Sequence, residues 1–216
     1  MAAGRKREQF GSGALSLNPA TSVFLNCPYD LQYLPLFDTA VLATICCGFM
    51  PRSALESGTV AEPRMARITR AIFESKYSIH DLSRCQGEGD ANLARFNMPL
   101  ELGIAMARRY LNASPANKHD WLVIVPAGHQ YARFISDLAG FDPVMYDGTE
   151  RALTLALMTW LATRMDATGT LSPRQVLKGL PNFKSEMRSL RKTWGPSPPW
   201  SDVVLAALKI AKELGR

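Results

Sequence analysis

The sequence lacks several features that would narrow its function at once. No apolar stretch is long enough to cross a membrane and no apolar signal core begins the chain, so we expect a cytoplasmic protein without a membrane partner. The four cysteines, Cys27, Cys46, Cys47 and Cys85, match neither a metal-site spacing nor a small disulfide scaffold. A glycine-rich phosphate loop and a dinucleotide-binding fingerprint are also missing. We therefore expect reduced thiols, no metal and no resident cofactor.

Positive charge is what the chain has in excess. Its 216 residues include 25 Lys and Arg against 19 Asp and Glu, which gives a net charge of +6 and an isoelectric point near 9.3. Such a balance suits a phosphate-bearing or nucleic-acid partner. Many of the basic residues, however, lie near the amino terminus and in the last third of the chain. A solvated basic face is the competing interpretation, so a nucleic-acid partner stays open.

Short apolar segments alternate with helical patterns over most of the chain. The predicted strands cover residues 22–26, 49–56, 77–82, 121–126 and 143–146. The predicted helices cover residues 30–47, 63–75, 97–110, 130–139 and 149–164. This alternation predicts an α/β fold with a flavodoxin-like, doubly wound parallel sheet of about five strands. Ligands of such sheets bind at the carboxyl ends of the strands.

The chain divides into three predicted parts. Residues 1–20 are polar and basic, and we expect a flexible segment there. Residues 21–167 form the α/β domain. Residues 168–216 are predicted to form a small helical appendage with short helices at 173–180, 182–192 and 201–214.

A glutamate near the start of a predicted helix is the leading candidate for chemistry. Asn97 is a good helix cap, and Glu101 follows it by four residues, whereas a reciprocal capping box requires three. Helix-dipole stabilisation, about 0.3–1 kcal/mol for a carboxylate in a first turn, is the competing explanation. Pro99 stiffens the helix start, and Gly103 permits close approach by a ligand. The carboxylate can attack the anomeric carbon of a ribosyl group, or it can stabilise an oxocarbenium-like transition state without bonding.

The third predicted strand ends in a second carboxylate. Asp81 can accept a hydrogen bond from a ribose hydroxyl or protonate a leaving base. Strand alternation places His80 and Asp81 on opposite faces of the sheet, so we do not expect them to form a dyad. In the competing interpretation Asp81 caps a turn and His80 is a satisfied core histidine.

Arginines near the strand ends are candidate phosphate ligands. Arg52, Arg84 and Arg95 lie beside predicted strand ends or in the loop before the glutamate helix, where a guanidinium can hold a phosphate with two hydrogen bonds. Each of them alone also fits an ordinary surface arginine. A second set of arginines is expected to face solvent from the helix at 63–75: Arg64, Arg67 and Arg70.

Smaller side chains complete the predicted substrate-binding set. They are Asn26, Cys27, Tyr29, Ser83, Asn97 and Met98. Tyr29 can stack on a base, as aromatic side chains commonly do in nucleotide sites. Cys27 has no paired base nearby in the sequence, which argues against a nucleophilic role.

These residues together resemble a known family. A first strand ending in Phe24-Leu25-Asn26-Cys27-Pro28-Tyr29-Asp30, an aspartate-bearing third strand and the segment Asn97-Met98-Pro99-Leu100-Glu101-Leu102-Gly103 resemble the nucleoside 2-deoxyribosyltransferase-like superfamily. They are also similar to the TIR-like domains of bacterial defence systems. The resemblance covers residues 22–165. It implies a nucleophilic glutamate at Glu101 and an assisting aspartate at Asp81.

The same resemblance suggests what the protein acts on. It implies cleavage of the N-glycosidic bond of NAD or a nucleotide, as substrate rather than cofactor, by a homo-oligomer that serves as a toxic anti-phage effector with a defence-system protein partner. One departure concerns the loop, because many transferases have Gly-Thr or Ser-Gly-Thr where this chain has Phe96-Asn97-Met98-Pro99. Loop contacts to the sugar therefore do not carry over. The alternative from another class is a non-catalytic nucleotide-binding sensor or assembly module.

Overall fold

Five parallel strands form the centre of the computed structural model, which describes residues 18–56, 61–85, 94–111, 118–133, 135–138 and 140–216. The strands are β1 (Ser22–Asn26), β2 (Met50–Ser53), β3 (Tyr77–Asp81), β4 (Asp120–Pro126) and β5 (Val144–Tyr146). They lie in the order β2-β1-β3-β4-β5, and every neighbouring pair is parallel. The predicted fold class, a flavodoxin-like parallel sheet, is confirmed.

Helices cover both faces of this sheet. They are α1 (Leu34–Cys46), α2 (Arg64–Phe73), α3 (Asn97–Leu111), α4 (Glu150–Ala162), α5 (Pro173–Trp194) and α6 (Trp200–Glu213). Alternate residues of β1 point to opposite faces. Val23 and Leu25 join the core that contains α1 and α4, whereas Phe24 packs with Ile68 and Ile72 of α2. Apolar side chains on both faces explain why the strand segments read as continuous apolar runs.

The carboxyl-terminal helices differ from the sequence prediction. One 22-residue helix, α5, replaces the two predicted helices and continues through Pro181. A proline inside a helix removes one backbone hydrogen bond and costs about 3 kcal/mol. Burial of Val176, Leu180, Phe183 and Met187 on one face offsets that cost. Tertiary packing therefore overrides the local breaker.

The carboxyl-terminal helices share the main core rather than forming a separate one. Phe183 and Val203 belong to the same buried cluster as Leu42 of α1. The segment between α4 and α5 passes close to Gly48, whose φ is +93°. A Cβ atom at Gly48 would lie 2.4 Å from the Thr168 carbonyl oxygen. Only glycine fits this contact. The two regions of the chain are consequently packed as one body at this face.

Two other segments depart from expectation. Asn18, within the predicted flexible segment 1–20, caps a short 3-10 helix at Pro19–Thr21, and residues 1–17 lie outside the described residues. The helix predicted at 130–139 is replaced by 3-10 helices at Tyr131–Arg133 and Ser136–Leu138, with residues 134 and 139 outside the description. Tyr131 and Leu138 are buried in the same core cluster, so two short turns are enough to anchor this segment.

No helix among the described residues combines the length and apolar character needed to cross a bilayer.

Candidate active site

A cavity of about 320 Å³ opens at the carboxyl edge of the sheet. The chain leaves β1 to form β2 on one side and later returns to form β3 on the other, so the carboxyl ends of β1 and β3 flank the crevice where such folds bind ligands. The cavity volume falls at the small end of the range for small-molecule sites, about 300–1,000 Å³. Its lining residues are Asn26, Cys27, Pro28, Tyr29, Asp30, Arg64, Arg95, Asn97, Met98 and Glu101.

Glu101 is a buried carboxylate that faces this cavity. Its residue surface is only 6% exposed, and none of the described residues forms a hydrogen bond or ion pair with its carboxylate. Burial raises the pKa of Glu101 to about 7, and the positive charge of Arg64 partly opposes that rise. It is the fifth residue of α3, so the expected placement in the first helical turn is wrong and the helix dipole acts on it only weakly.

Asn26 fixes the start of the helix that carries Glu101. Its Nδ2 donates to the backbone oxygen of Met98 at 2.8 Å and contacts His80 Nδ1 at 2.9 Å. The amide nitrogen is thereby fully used, whereas no described residue donates to its Oδ1. Asn26 lines the cavity, so this amide oxygen is a candidate acceptor for a hydrogen bond from a ligand.

The arginines are arranged differently from the sequence prediction. Arg95 lines the cavity and donates to Asp30 at 3.2 Å, and Arg84 donates to the same carboxylate at 3.0 Å without lining the cavity. Although partial burial opposes ionisation, these two guanidinium groups hold the pKa of Asp30 below its usual value. Arg52 lies outside the cavity and is paired with Glu56 at 2.6 Å.

Arg64 takes a place in the cavity wall that the helical pattern of α2 does not predict. Arg64 is exposed, as the pattern predicts, and as the first residue of α2 it also lines the open cavity. No described carboxylate pairs with Arg64. Pro28 and Asp30 are the other lining residues outside the predicted set. Asp30 also caps the turn before α1, accepting a hydrogen bond from the Tyr33 amide at 3.0 Å.

Asp81 lies at the same edge but is enclosed. It is fully buried and does not line the cavity. Its carboxylate accepts hydrogen bonds from the Tyr33 hydroxyl, from the Tyr146 hydroxyl at 3.0 Å and from the Ser83 amide at 2.7 Å. Burial raises the pKa of Asp81 in spite of these donors. His80 faces the opposite side of the strand, as strand alternation predicts.

The remaining predicted binding residues are mostly held by the protein itself. The Tyr29 ring packs edge-on against Phe37 at 5.1 Å between centroids, and its hydroxyl lies 3.2 Å from Ser53 Oγ. Burial, reinforced by the charge of Asp81, raises the pKa of Cys27, which disfavours a thiolate there. Ser83 contributes its amide to Asp81 and lies outside the cavity lining. The predicted residues that do share the cavity are Asn26, Cys27, Tyr29, Arg95, Asn97, Met98 and Glu101.

Comparison with known proteins leaves the site to be interpreted from its chemistry. No protein-family model matches the sequence, and searches of curated proteins and of solved structures give no significant match. Among the described residues, no group of three or more His, Cys, Asp or Glu side chains is placed to hold a metal ion.

Proposed function

We propose that this protein cleaves the N-glycosidic bond of NAD or a nucleotide, as a hydrolase or a transferase, with Glu101 as the nucleophile. One observation carries the proposal: a buried carboxylate without a protein partner faces a cavity at the ligand-binding edge of the sheet. A buried carboxylate in a purely structural role is normally paired or hydrogen-bonded, because its desolvation is costly. An unpaired one with its pKa raised to about 7 fits a reactive group.

In the proposed reaction, Glu101 acts directly on the ribose. A Glu101 carboxylate oxygen forms a bond to the anomeric carbon of the ribose while the bond to the base nitrogen breaks and its electron pair leaves with the base. Water, or a second base in a transferase, then attacks the same carbon and releases the glutamate. Stabilisation of an oxocarbenium-like transition state by the carboxylate without a covalent bond is the variant of this mechanism that uses the same residue.

The leaving group favours NAD among the candidate substrates. A neutral purine or pyrimidine needs a proton as it leaves. Asp30, the other carboxylate of the cavity wall, is ion-paired with Arg84 and Arg95 and has a lowered pKa, so it is a poor proton donor. The nicotinamide of NAD carries a positive charge before cleavage and leaves as a neutral molecule. Its departure requires no acid.

Two arginines supply the affinity for phosphate. Arg64 and Arg95 line the cavity that Glu101 faces, and a guanidinium binds phosphate oxygens in bidentate fashion. Arg95 and Arg84 share Asp30, so the cluster keeps excess positive charge when its carboxylate is ionised. Asp81, which the resemblance casts as an assisting residue, more simply positions Tyr33 and Tyr146 behind the site.

Product analysis tests the proposal. NAD and a mixture of nucleotides are incubated with the wild-type protein and with Glu101→Gln, and released bases are measured by mass spectrometry. Because the amide cannot act as the nucleophile, we expect base release to fall by about 10³-fold or more. Glu62→Gln is the matched control, since Glu62 pairs with Arg70 away from the cavity. Base release by Glu101→Gln at the wild-type rate would rule out the role of Glu101.

A sensor is the second candidate, and the lowered pKa of Asp30, the only carboxylate besides Glu101 among the lining residues described, favours it. A nucleotide with a neutral base would bind between Arg64 and Arg95 without being cleaved. Calorimetric binding of a nucleoside monophosphate, with no base released over hours, would identify this function. The toxic anti-phage role, the homo-oligomer and the defence-system partner stay predictions from the family resemblance.

A further inference from the structure

A second and larger cavity lies at the opposite, amino-terminal edge of the sheet. Its volume is about 650 Å³, and it is lined by Asn18, Pro19, Ala20, Phe73, Lys76, Arg108 and Leu111. Two of these residues are cationic. Phe73 and Leu111 are 45% and 80% exposed, so the wall also offers apolar surface. This volume is well within the range of small-molecule sites, about 300–1,000 Å³.

Positive charge at this edge is only partly neutralised. Lys76 pairs with Asp166 at 2.7 Å, while Arg109 and Arg164 share the single carboxylate of Asp120. These two aspartates therefore face three cationic side chains, and Arg108 adds a fourth positive charge.

Arg108 has no carboxylate partner among the described residues. Its Nη1 donates to the backbone oxygen of Ile72 at 2.7 Å and lies 2.7 Å from His119 Nδ1. Burial lowers the pKa of Arg108, as expected for a cation removed from water without a counter-ion. The remaining nitrogens of the guanidinium are unused by the described residues. Arg108 lines the cavity, so these nitrogens are available to a ligand bound there.

We propose that this cavity binds a phosphorylated small molecule, with Arg108 and Lys76 as its phosphate ligands. Guanidinium and ammonium groups are the side chains that bind phosphate best. The bound anion completes the neutralisation that Asp120 and Asp166 leave unfinished. This site is separate from the Glu101 cavity, and its existence is independent of the glycosidase proposal.

Inorganic pyrophosphate is a suitable probe, with affinity measured by isothermal titration calorimetry. We expect Arg108→Gln and Lys76→Gln each to weaken binding by about tenfold, the effect of losing one charge-assisted hydrogen bond. Arg109→Gln is the matched control, because it removes the same charge from the adjacent residue of α3 but does not line the cavity. Its affinity is expected to stay within about twofold of wild type after the general charge effect is screened by 0.15 M salt.

The side-chain NMR signal of His119 shows whether pyrophosphate occupies this cavity. His119 is one of only three histidines, and its Nδ1 lies next to Arg108, so its side-chain NMR signal should move when pyrophosphate binds. If Arg108→Gln is misfolded by circular dichroism, Lys76→Gln and the His119 signal decide the outcome. The proposal is overturned by absence of wild-type binding, by equal losses in Arg109→Gln and Lys76→Gln, or by binding that leaves His119 unmoved.

Discussion

Glu101 and Asp81 are two buried carboxylates at the same edge of one sheet, and their surroundings are opposite. Both have a pKa raised by burial. Asp81 is enclosed and accepts hydrogen bonds from Tyr33, Tyr146 and Ser83, whereas none of the described residues donates to Glu101. A carboxylate whose lone pairs are satisfied by the protein has little left to offer a substrate, and one that faces a cavity without partners has all of them available.

At this edge of the sheet, Asp81 contributes to stability, whereas Glu101 is available to a substrate. Asp81 connects three segments: the turn before α1, the end of β5 and the turn after β3. The Glu101 carboxylate forms no hydrogen bond with any of the described residues, and its burial costs free energy whenever it is ionised. Functional groups commonly carry such an unoffset cost. The contrast predicts that substitutions at the two positions affect different measurements.

Removal of Asp81 should have the largest effect on stability. In Asp81→Ala the two tyrosine hydroxyls and the Ser83 amide lose a charged acceptor in a buried site, and we expect the free energy of unfolding to fall by about 3–5 kcal/mol. Urea denaturation measures this loss. Asp81→Asn keeps one acceptor oxygen and should lose roughly half as much. An Asp81→Ala protein of wild-type stability that no longer releases base would reverse the roles assigned to the two carboxylates.

Glu101 should instead make stability depend on pH. Its pKa is about 7 in the folded protein against about 4.5 in the unfolded chain. The folded state therefore binds more protons between these values, and the free energy of unfolding falls as the pH rises through them. A shift of this size corresponds to about 3 kcal/mol. Glu101→Gln cannot ionise, so its stability relative to wild type should increase by about that amount between pH 4.5 and pH 8.

Urea denaturation of both proteins across this pH range checks the expectation. The difference between the two proteins is the informative quantity, because other carboxylates titrate equally in each. Glu62→Gln, at an ion pair remote from the cavity, provides the reference for loss of an ordinary glutamate. A difference between Glu101→Gln and wild type that does not change with pH would mean that Glu101 titrates as an exposed glutamate does.

The sequence predicts the sheet and the edge at which Glu101 lies, because both depend on local patterns, although it misplaces Glu101 in the first turn of α3. Buried runs at Ser22–Asn26 and Tyr77–Asp81 mark the strands whose carboxyl ends form the crevice, and α3 carries Glu101 at that crevice. The continuous helix through Pro181 is not predictable in this way. It depends on packing against α1 and α6, which no local pattern contains.

The site is less predictable than the fold because side-chain direction is a tertiary property. Arg64 is exposed, as expected for a solvent-facing row on α2, and the pattern does not show that the start of α2 also borders the cavity. Arg52 lies near the carboxyl end of β2, where a phosphate ligand is expected, yet it pairs with Glu56 and Glu74 and lies outside the cavity. The contact of Asp81 with the Ser83 amide is local and fits the turn-capping interpretation, but the two tyrosines that enclose it are 48 and 65 residues away in sequence and have no local signal.

The charge of Arg64 provides the finest test of the contrast between the two carboxylates. Arg64 lowers the pKa of Glu101, and it is not among the groups that act on Asp81. In Arg64→Gln the pKa of Glu101 should therefore rise further, since burial then acts without an opposing charge. If ionised Glu101 is the nucleophile, the ascending limb of the pH profile for base release moves to higher pH, and activity at pH 7 falls severalfold.

Arg70→Gln removes the same charge from an exposed position of the same helix and should leave the profile in place. A profile that moves equally in both variants would assign the effect to net charge. A profile unmoved in Arg64→Gln, with only KM increased, would limit Arg64 to holding phosphate and leave the pKa of Glu101 to burial alone.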